Sequence, residues 1–388
     1  MAMQKINILY VLTKLELGGA QKQLLSLIAR LDKGKFTPFL FTAKNGLLKE
    51  EALSIPGLTI KLSSFLERPV NPLKDILALF EIYHFIRKNK IIIVHTHSSK
   101  AGILGRWAAG FAGAKVIIHT VHGWPFHDYQ PGLWRRVCIW LEKITAGLTE
   151  RIIVASEHDL QKGLKNRIGD KKKYALVRYG INRQDFNSGR NNIKADLGIK
   201  PEDKVIGSIS CFKPQKSPQD FIVLASLVNK VMPDVKFLLV GDGLLRRGIE
   251  DLIWENRLEK NVILAGWRKD IPQIFSAIDI FVLTSLWEGF PVTILEAMAS
   301  NKPVIVTHTG GVGELVSEGK NGFLVQPKDM RAMSEKIIRL LKDETLCRAM
   351  GDNAGKMLDS RFCIEYTVKA SQEIYNQCIW RKAGSNVN

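Results

Sequence analysis

Two doubly wound α/β domains facing across a cleft are the fold this sequence predicts, and three observations predict it. The chain has 388 residues, more than one typical domain, and two domains of about 180 are the natural division. Short apolar runs of strand length alternate with longer segments whose apolar residues recur at helical spacing. A polar stretch, Tyr179-Gly180-Ile181-Asn182 followed by Arg183–Lys194, then separates two such alternating sets. The expected domains are 1–182 and 183–362, with a final helix over 363–388.

In the first set, Ile6–Leu12, Thr37–Thr42, Thr59–Leu62, Ile91–His95 and Val116–His119 read as strands. Gln21–Leu31, Pro72–Lys90 and Leu133–Leu148 read as helices. Open parallel sheets bind ligands beyond the carboxyl ends of their strands, so the turns there are the candidate sites. Leu17-Gly18-Gly19-Ala20 follows the first strand. Its paired glycines suit close approach to a ligand, and equally a tight turn. Three spaced glycines, as in the dinucleotide fingerprint, are missing. After the fourth strand comes His95-Thr96-His97-Ser98-Ser99-Lys100-Ala101-Gly102. Histidines at i and i+2 share one strand face, but no third ligand lies nearby in sequence, so no metal site is expected. Ser98, Ser99 and Lys100 open a helix, where they can hydrogen-bond a polar acceptor. His122, in Val121-His122-Gly123-Trp124, ends the fifth strand and is placed to project into the cleft. A lone histidine there is more often structural than catalytic.

In the second set, Val205–Ile209, Val235–Val240, Val262–Leu264, Ile280–Leu283 and Pro303–Val306 read as strands, and Glu365–Trp380 as the terminal helix. Lys213 and Lys216 follow the first of these strands, where they can clamp a diphosphate or stand as solvated charge. The most informative stretch is Ile278–Ala299. Ile280-Phe281-Val282-Leu283 has the composition of a buried parallel strand. Thr284–Gly289 is a loop, and Pro291 suits the first turn of a helix that continues through Glu296-Ala297-Met298-Ala299. Glu288 then faces the helix start, and Glu296 lies roughly 6–8 Å along it at about 1.5 Å per residue. The free amides between Gly289 and Thr293 make a positive end suited to phosphate. A nucleoside diphosphate sugar matches this layout, with a carboxylate on each side for the hydroxyls of sugar and ribose. One glutamate could instead merely complement the helix dipole.

This Glu-x7-Glu, with Gly-Phe-Pro after the first Glu, resembles the signature of the group 1 (family 4) retaining glycosyltransferases. Gly310-Gly311-Val312-Gly313-Glu314 and Asn321-Gly322-Phe323-Leu324-Val325 follow in the family's order. The resemblance covers nearly the whole chain, strongly from Val205 to Val325. It implies the two-domain architecture called GT-B and a first domain that takes the acceptor. It also implies a second domain that takes a UDP- or GDP-linked sugar, and a terminal helix returning to the first domain. By the same resemblance His122, Lys213, Lys216 and Glu288 are catalytic. Gly18, Gly19, Gly289, Phe290, Pro291, Val292 and Glu296 are the expected donor-binding residues, and Ser98, Ser99 and Lys100, by their place at a strand end, the expected acceptor-facing ones. The family commonly places an arginine where this chain has Cys211, so Lys213 would supply that charge. No Asp-x-Asp occurs, and no metal or other cofactor is expected. The transfer implied retains anomeric configuration by front-face displacement, because no carboxylate is an obvious covalent nucleophile. A sugar-nucleotide epimerase or a glycan phosphorylase would use the same architecture.

Charge and composition add the setting. Residues 1–190 carry 30 Lys+Arg against 14 Asp+Glu, whereas residues 191–388 carry 26 against 24, giving +16 and +2 of the total +18. Such an excess attracts an anionic partner: membrane lipid, a phosphorylated acceptor or nucleic acid. No nucleic-acid-binding module is visible, and none is expected to bind. Leu133–Leu148 interleaves Trp134, Arg135, Arg136 and Trp140 with aliphatic residues, a composition suited to a helix lying in a membrane interface. Packing beneath the domain with snorkelling charges is the competing reading. Ala101–Ile118 is apolar but interrupted by Arg106 and Lys115, so it is not expected to span a bilayer. Five scattered cysteines without a Cys-x-x-Cys pair, and a start that runs straight into a strand, predict a cytoplasmic protein. With the basic half, this points to an enzyme peripheral on the inner membrane face, acting on a lipid-linked saccharide in cell-surface polysaccharide synthesis.

Overall fold

The structure, a computed structural model, describes residues 5–186 and 193–384. Residues 187–192, within the expected linker, lie outside that range. The chain forms two compact units, Met1–Tyr179 with Ile364–Asn388, and Gly180–Cys363.

The first unit opens with β1 (Ile6–Val11), α1 (Gly19–Ala29), β2 (Phe36–Ala43), α2 (Lys49–Leu53) and β3 (Thr59–Ser63). It continues with α3 (Pro72–Lys88), β4 (Ile93–His97), α4 (Ser99–Ala112) and β5 (Val116–Val121). α5 (Gly132–Ala146), β6 (Arg151–Val154), α6 (Glu157–Lys165) and β7 (Tyr174–Leu176) complete the run. The seven strands are parallel in the order β3-β2-β1-β4-β5-β6-β7. Both faces of β1 are buried: Ile8 and Tyr10 pack on one side, Leu9 and Val11 on the other. This is why its sequence reads as a continuous apolar run rather than an alternating one.

Local chemistry sets the helix ends. Asn71 accepts from the Lys74 amide at 3.2 Å and Pro72 opens α3, while Arg87 and Lys88 occupy its last turn. Ser156 caps α6 through the Asp159 amide at 3.0 Å. α4 owes its small residues to close packing: a Cβ on Gly102 would lie 2.6 Å from the His119 ring. Arg106, which reads in sequence as a charge breaking an apolar stretch, is fully buried on α4. Its guanidinium donates to Glu142 of α5 at 2.7 Å and to the Gly102 carbonyl at 2.8 Å.

In the second unit, α7 (Ile193–Asp196), β8 (Val205–Ile209), α8 (Pro218–Asn229) and β9 (Lys236–Val240) come first. α9 (Arg246–Glu255), β10 (Val262–Gly266), α10 (Ile271–Ala277) and β11 (Ile280–Leu283) follow. α11 (Val292–Ala299), β12 (Val304–Thr307), β13 (Gly322–Val325), α12 (Met330–Lys342) and α13 (Glu344–Met357) close it. Its parallel sheet runs β10-β9-β8-β11-β12-β13, over a core that includes Phe212, Phe221, Phe237, Val282 and Ile337. α14 (Ile364–Gly384) belongs to the first unit. Tyr375 on it is fully buried against Phe36, with ring centroids 5.8 Å apart.

Most strand bounds lie within one residue of the sequence reading, but β5 and β10 each run two residues further, to Val121 and Gly266, and β4, expected at Ile91–His95, is observed at Ile93–His97. The Ile91 amide still bonds back to Ile86 at the end of α3, and the strand runs on through polar residues that find partners inside. The sequence reading gives no bounds for β6, β7 and β13 or for α2, α4, α6, α7, α8, α9, α10, α12 and α13, although it places a helix start at residues 98–100.

Removing one partner of a buried ion pair strands the other charge, whereas an apolar pair of similar volume is tolerated. Glu142→Ala is therefore expected to destabilise the first unit by about 3–5 kcal/mol in urea unfolding. Arg106→Met combined with Glu142→Leu should recover most of that loss.

Candidate functional site

In the second unit, strand order reverses direction between β8 and β11: β9 lies to one side and β12 to the other. The loops leaving these two strands diverge there and form the crevice in which open α/β sheets bind ligands. Lys216 comes from the loop after β8 and Glu288 from the loop after β11. They meet at 2.5 Å between Nζ and Oε1, with side chains 18% and 5% exposed. Ser285 Oγ donates to the same Glu288 oxygen at 2.5 Å. The loops are sewn together below the pair. The Leu286 amide donates to the Gln215 carbonyl at 2.8 Å, Gln215 Nε2 to Trp287 O at 3.0 Å, and Thr284 Oγ1 to the carbonyls of Lys216 and Ser217.

A third loop, after β12, fixes the backbone of Glu288. Gly310 has φ +56°, and a Cβ there would fall 1.9 Å from the Glu288 carbonyl oxygen. The Gly311 amide donates to Gly289 O at 2.9 Å. Phe290 stacks on Phe362 at 6.4 Å, and Pro291 stands at the N-cap of α11 with extended backbone. α11 carries no side-chain cap, and Glu296 on it is buried. The crevice thus gathers a lysine, a carboxylate and a helix N-terminus, a set able to bind an anion and to accept hydroxyl hydrogens.

The first unit has its own reversal of strand order, between β1 and β4. Thr13, after β1, pairs its hydroxyl with Ser98, after β4, at 2.7 Å. Ser98 adopts φ 62° and ψ 159°, a region that glycine occupies almost alone, so its backbone is strained at a strand end. Gly18 has an ordinary extended φ of −153° and Gly19 begins α1, so no backbone strain requires a glycine at Gly18.

Behind this edge lies a chain of rings, buried at His95, His97, Tyr179 and Tyr375 and half-buried at His122. His122 Nε2 pairs with His97 Nδ1 at 2.9 Å, and His122 Nδ1 with the Tyr179 hydroxyl at 2.5 Å. His95 bonds Tyr375 OH and Thr120 Oγ1, each at 2.7 Å, and its ring centroid lies 4.2 Å from that of His97. Burial disfavours the charged imidazoles, pushing His122 down to about 4 and His95 to about 3, with His97 and His119 also well below the usual range.

Several site expectations meet the structure differently. His122 is partly exposed, with both ring nitrogens engaged by His97 and Tyr179. Lys100, expected beside an acceptor, is turned away from that role: its ammonium is held by Asp75 and by the Pro69 carbonyl at 2.5 Å. Trp134 and Trp140 are 49% and 59% exposed, which corrects the reading of them as packed beneath the domain. Arg136 is exposed, but Arg135 is half-buried and 3.3 Å from Asp128. Sequence alone does not single out Ser285, Gln215, His97 and Tyr179 for these roles. The signal available was polar residues at strand ends, His97 and Ser285 among them. Among the described residues no group of three His, Cys, Asp or Glu side chains is placed to hold a metal ion, and no helix is long and apolar enough to cross a membrane.

The four imidazoles titrate near 6.5 when unfolded and well below that when folded. Between about pH 6.5 and pH 4 the unfolded chain therefore binds more protons, and stability falls as pH falls. The thermal midpoint should drop on going from pH 7 to 5.5, before most carboxylates titrate, and His119→Phe should flatten that slope. A midpoint constant over this range would contradict the buried neutral cluster.

Comparison with known proteins places this geometry. Residues 189–357 match the model of the glycosyl transferases group 1, and residues 17–185 that of glycosyltransferase family 4. The chain is 32% identical over 392 residues to the UDP-Gal:alpha-D-GlcNAc-diphosphoundecaprenol alpha-1,3-galactosyltransferase of Escherichia coli, covering 97% of this chain and 98% of that one. It is 25% identical to the capsular polysaccharide biosynthesis glycosyltransferase CapM of Staphylococcus aureus, over 82% of this chain and 85% of that one. Among solved structures, Anabaena HepE in complex with UDP-glucose superposes with a TM-score of 0.84 at 20% identity, covering 96% of this chain and all of the other. WaaG, a glycosyltransferase of lipopolysaccharide biosynthesis, gives 0.77 at 14% identity over 93% and 98%. With two parallel α/β units and relatives of this kind along its whole length, the chain belongs to the group 1, family 4 glycosyltransferases and has their GT-B fold.

Proposed function

We propose that this enzyme transfers a hexose or N-acetylhexosamine, with retention, from a UDP-linked donor to a lipid-linked diphosphate saccharide at the cytoplasmic face of a membrane. The observation that carries the reading is the crevice between β8 and β11, where Lys216, Glu288 and the start of α11 converge. A UDP rather than GDP donor is supported by the names of the Escherichia coli relative and of the HepE complex. The diphosphoundecaprenol acceptor of that relative supports the lipid-linked acceptor.

In this reading the amides opening α11, from Gly289 through Phe290 and Val292, cradle the diphosphate beyond Pro291. Lys216, with Lys213 from the same loop, neutralises the charge that grows on the leaving phosphate oxygen as the anomeric C–O bond lengthens. Glu288 accepts a hydroxyl of the sugar and Glu296 the ribose hydroxyls. The acceptor oxygen attacks from the face the diphosphate leaves, and its proton passes to the departing phosphate oxygen. His122 contacts the donor sugar as a neutral imidazole, set by His97 and Tyr179, while the Gly18-Gly19 turn and Ser98 and Ser99 meet the diphosphate or the acceptor. Neutralisation of the leaving group by lysines and amides requires no metal, so turnover should persist in excess chelator.

Thermal-shift titration with UDP and a panel of UDP-sugars tests the donor, because a ligand bound to the native state stabilises it to a degree set by its concentration relative to its dissociation constant. Glu296→Gln should weaken both free UDP and the UDP-sugar. Glu288→Gln should spare UDP and lower kcat, and Lys216→Ala should lower kcat on the order of 100-fold or more. Equal loss of UDP affinity in both glutamate variants would break the assignment of sugar and ribose, and a chain stabilised by no nucleotide would remove the reading.

A further inference from the structure

α3 carries apolar residues on two opposite faces. Ala78, Ile82 and Ile86 are buried against the sheet. On the other side Leu73, Ile76, Leu77 and Phe80 stand 76%, 54%, 47% and 54% exposed, and Val70 just before the helix is 68% exposed. A surface helix of a soluble domain ordinarily turns polar residues outward, so a second apolar stripe marks a contact surface. Farther along the same outward face, at helical spacing, come His84, Arg87 and Lys88, all exposed.

α5 repeats the pattern. Leu133, Trp134, Trp140 and Ile144 are exposed, together with Arg136 and Lys143. α4 packs against both α3 and α5, so all three belong to one layer over the same side of the sheet. Each follows a parallel strand, so the exposed apolar residues opening α3 and α5 share the carboxyl edge of that layer.

The carboxylates of α3 and α5 are all drawn into ion pairs. Asp75 is held by Lys100, Glu81 by Lys61 at 2.9 Å and Glu142 by Arg106 at 2.7 Å. The outward faces therefore offer aliphatic, aromatic and basic groups with no carboxylate, within a half of the chain that carries +16. That combination fits a bilayer with anionic headgroups: apolar side chains enter the acyl boundary, tryptophans sit at headgroup level, and lysines and arginines meet the phosphates.

We propose that the outward face of α3, from Val70 to Lys88, together with the exposed face of α5, docks this enzyme on an anionic lipid surface. The proposal rests on the lipid-linked acceptor reading for its purpose, and it moves the centre of docking from the tryptophan-arginine helix to α3.

The test is flotation of the full-length protein with phosphatidylcholine vesicles, with and without phosphatidylglycerol. The parent should partition into the anionic vesicles and be released by high salt. Ile76→Glu with Phe80→Glu should reduce that partition tenfold or more while leaving the thermal midpoint and the UDP-induced shift unchanged. Should that variant fold poorly, Arg87→Glu with Lys88→Glu, at the polar end of the same face, should still weaken salt-sensitive binding. The proposal is overturned if the parent ignores anionic vesicles, if both double variants bind as the parent does, or if these substitutions instead dissociate a dimer in solution. Transfer to a water-soluble short-chain acceptor separates the two readings. It should proceed at the parent rate in the α3 variants, and its absence in the parent would remove the proposed function while leaving the vesicle result intact.

Discussion

Parallel strand pairing is the constraint on which the rest of this structure depends. Strands that pair in parallel cannot be joined by a tight turn, so the chain crosses back through a helix and every helix begins at the same edge. Where strand order changes direction, two loops leave neighbouring strands toward opposite sides and a crevice opens between them. In the second unit this happens between β8 and β11, and it brings Lys216 to Glu288 although 72 residues separate them. The loop after β12 completes the arrangement. With Gly310 at φ +56° and no room for a Cβ beside the Glu288 carbonyl, the backbone that carries this carboxylate has little freedom to shift.

The same topology in the first unit produces a different interior. The carboxyl half of β4 is polar, yet it continues the sheet because its buried side chains find partners: Thr96 bonds His119, His95 bonds Tyr375 and Thr120, and His97 bonds His122 through Nδ1, while His97 Nε2 has no hydrogen-bond partner among the described residues. Burial of this kind is tolerated only when hydrogen bonds replace those lost to water. Tyr375 reaches the network from α14, so the last helix takes part in ordering residues near the start of the chain. Arg106 and Glu142 follow the same rule one layer out, where two opposite charges are admitted to the packing between α4 and α5 only as a pair.

Packing of the helical layer against the sheet also decides which side chains are left for contact with other molecules. α3 buries a complete apolar stripe and still presents Leu73, Ile76, Leu77 and Phe80 outward. No requirement of the fold explains that second stripe, since the core beneath α3 is already filled by Ala78, Ile82 and Ile86. The exposed tryptophans of α5 extend the same chemistry on the far side of α4.

Much of this was legible in the sequence for physical reasons. Apolar runs of strand length cannot stay in water, and their alternation with helical spacing leaves few architectures other than parallel sheets covered by helices. The strand bounds of β8 and β11 were readable to the residue, and Pro291 placed the start of α11 to within one residue. Glu288, Lys216 and the helix start could be named as neighbours because all three lie at carboxyl edges. Other features depend on contacts between residues remote in sequence. Nothing local distinguishes Arg106 as a core residue from a charge on a solvated helix; its partner lies 36 residues away. Nothing local shows that Lys100 turns to Asp75, that both nitrogens of His122 are occupied, or that α3 faces outward with leucines. Period and composition determine which segments become strands and helices, because those choices depend on each residue's own preferences. Which face is covered and which polar group meets which partner depend on the packed arrangement of the elements, and only the tertiary structure decides them.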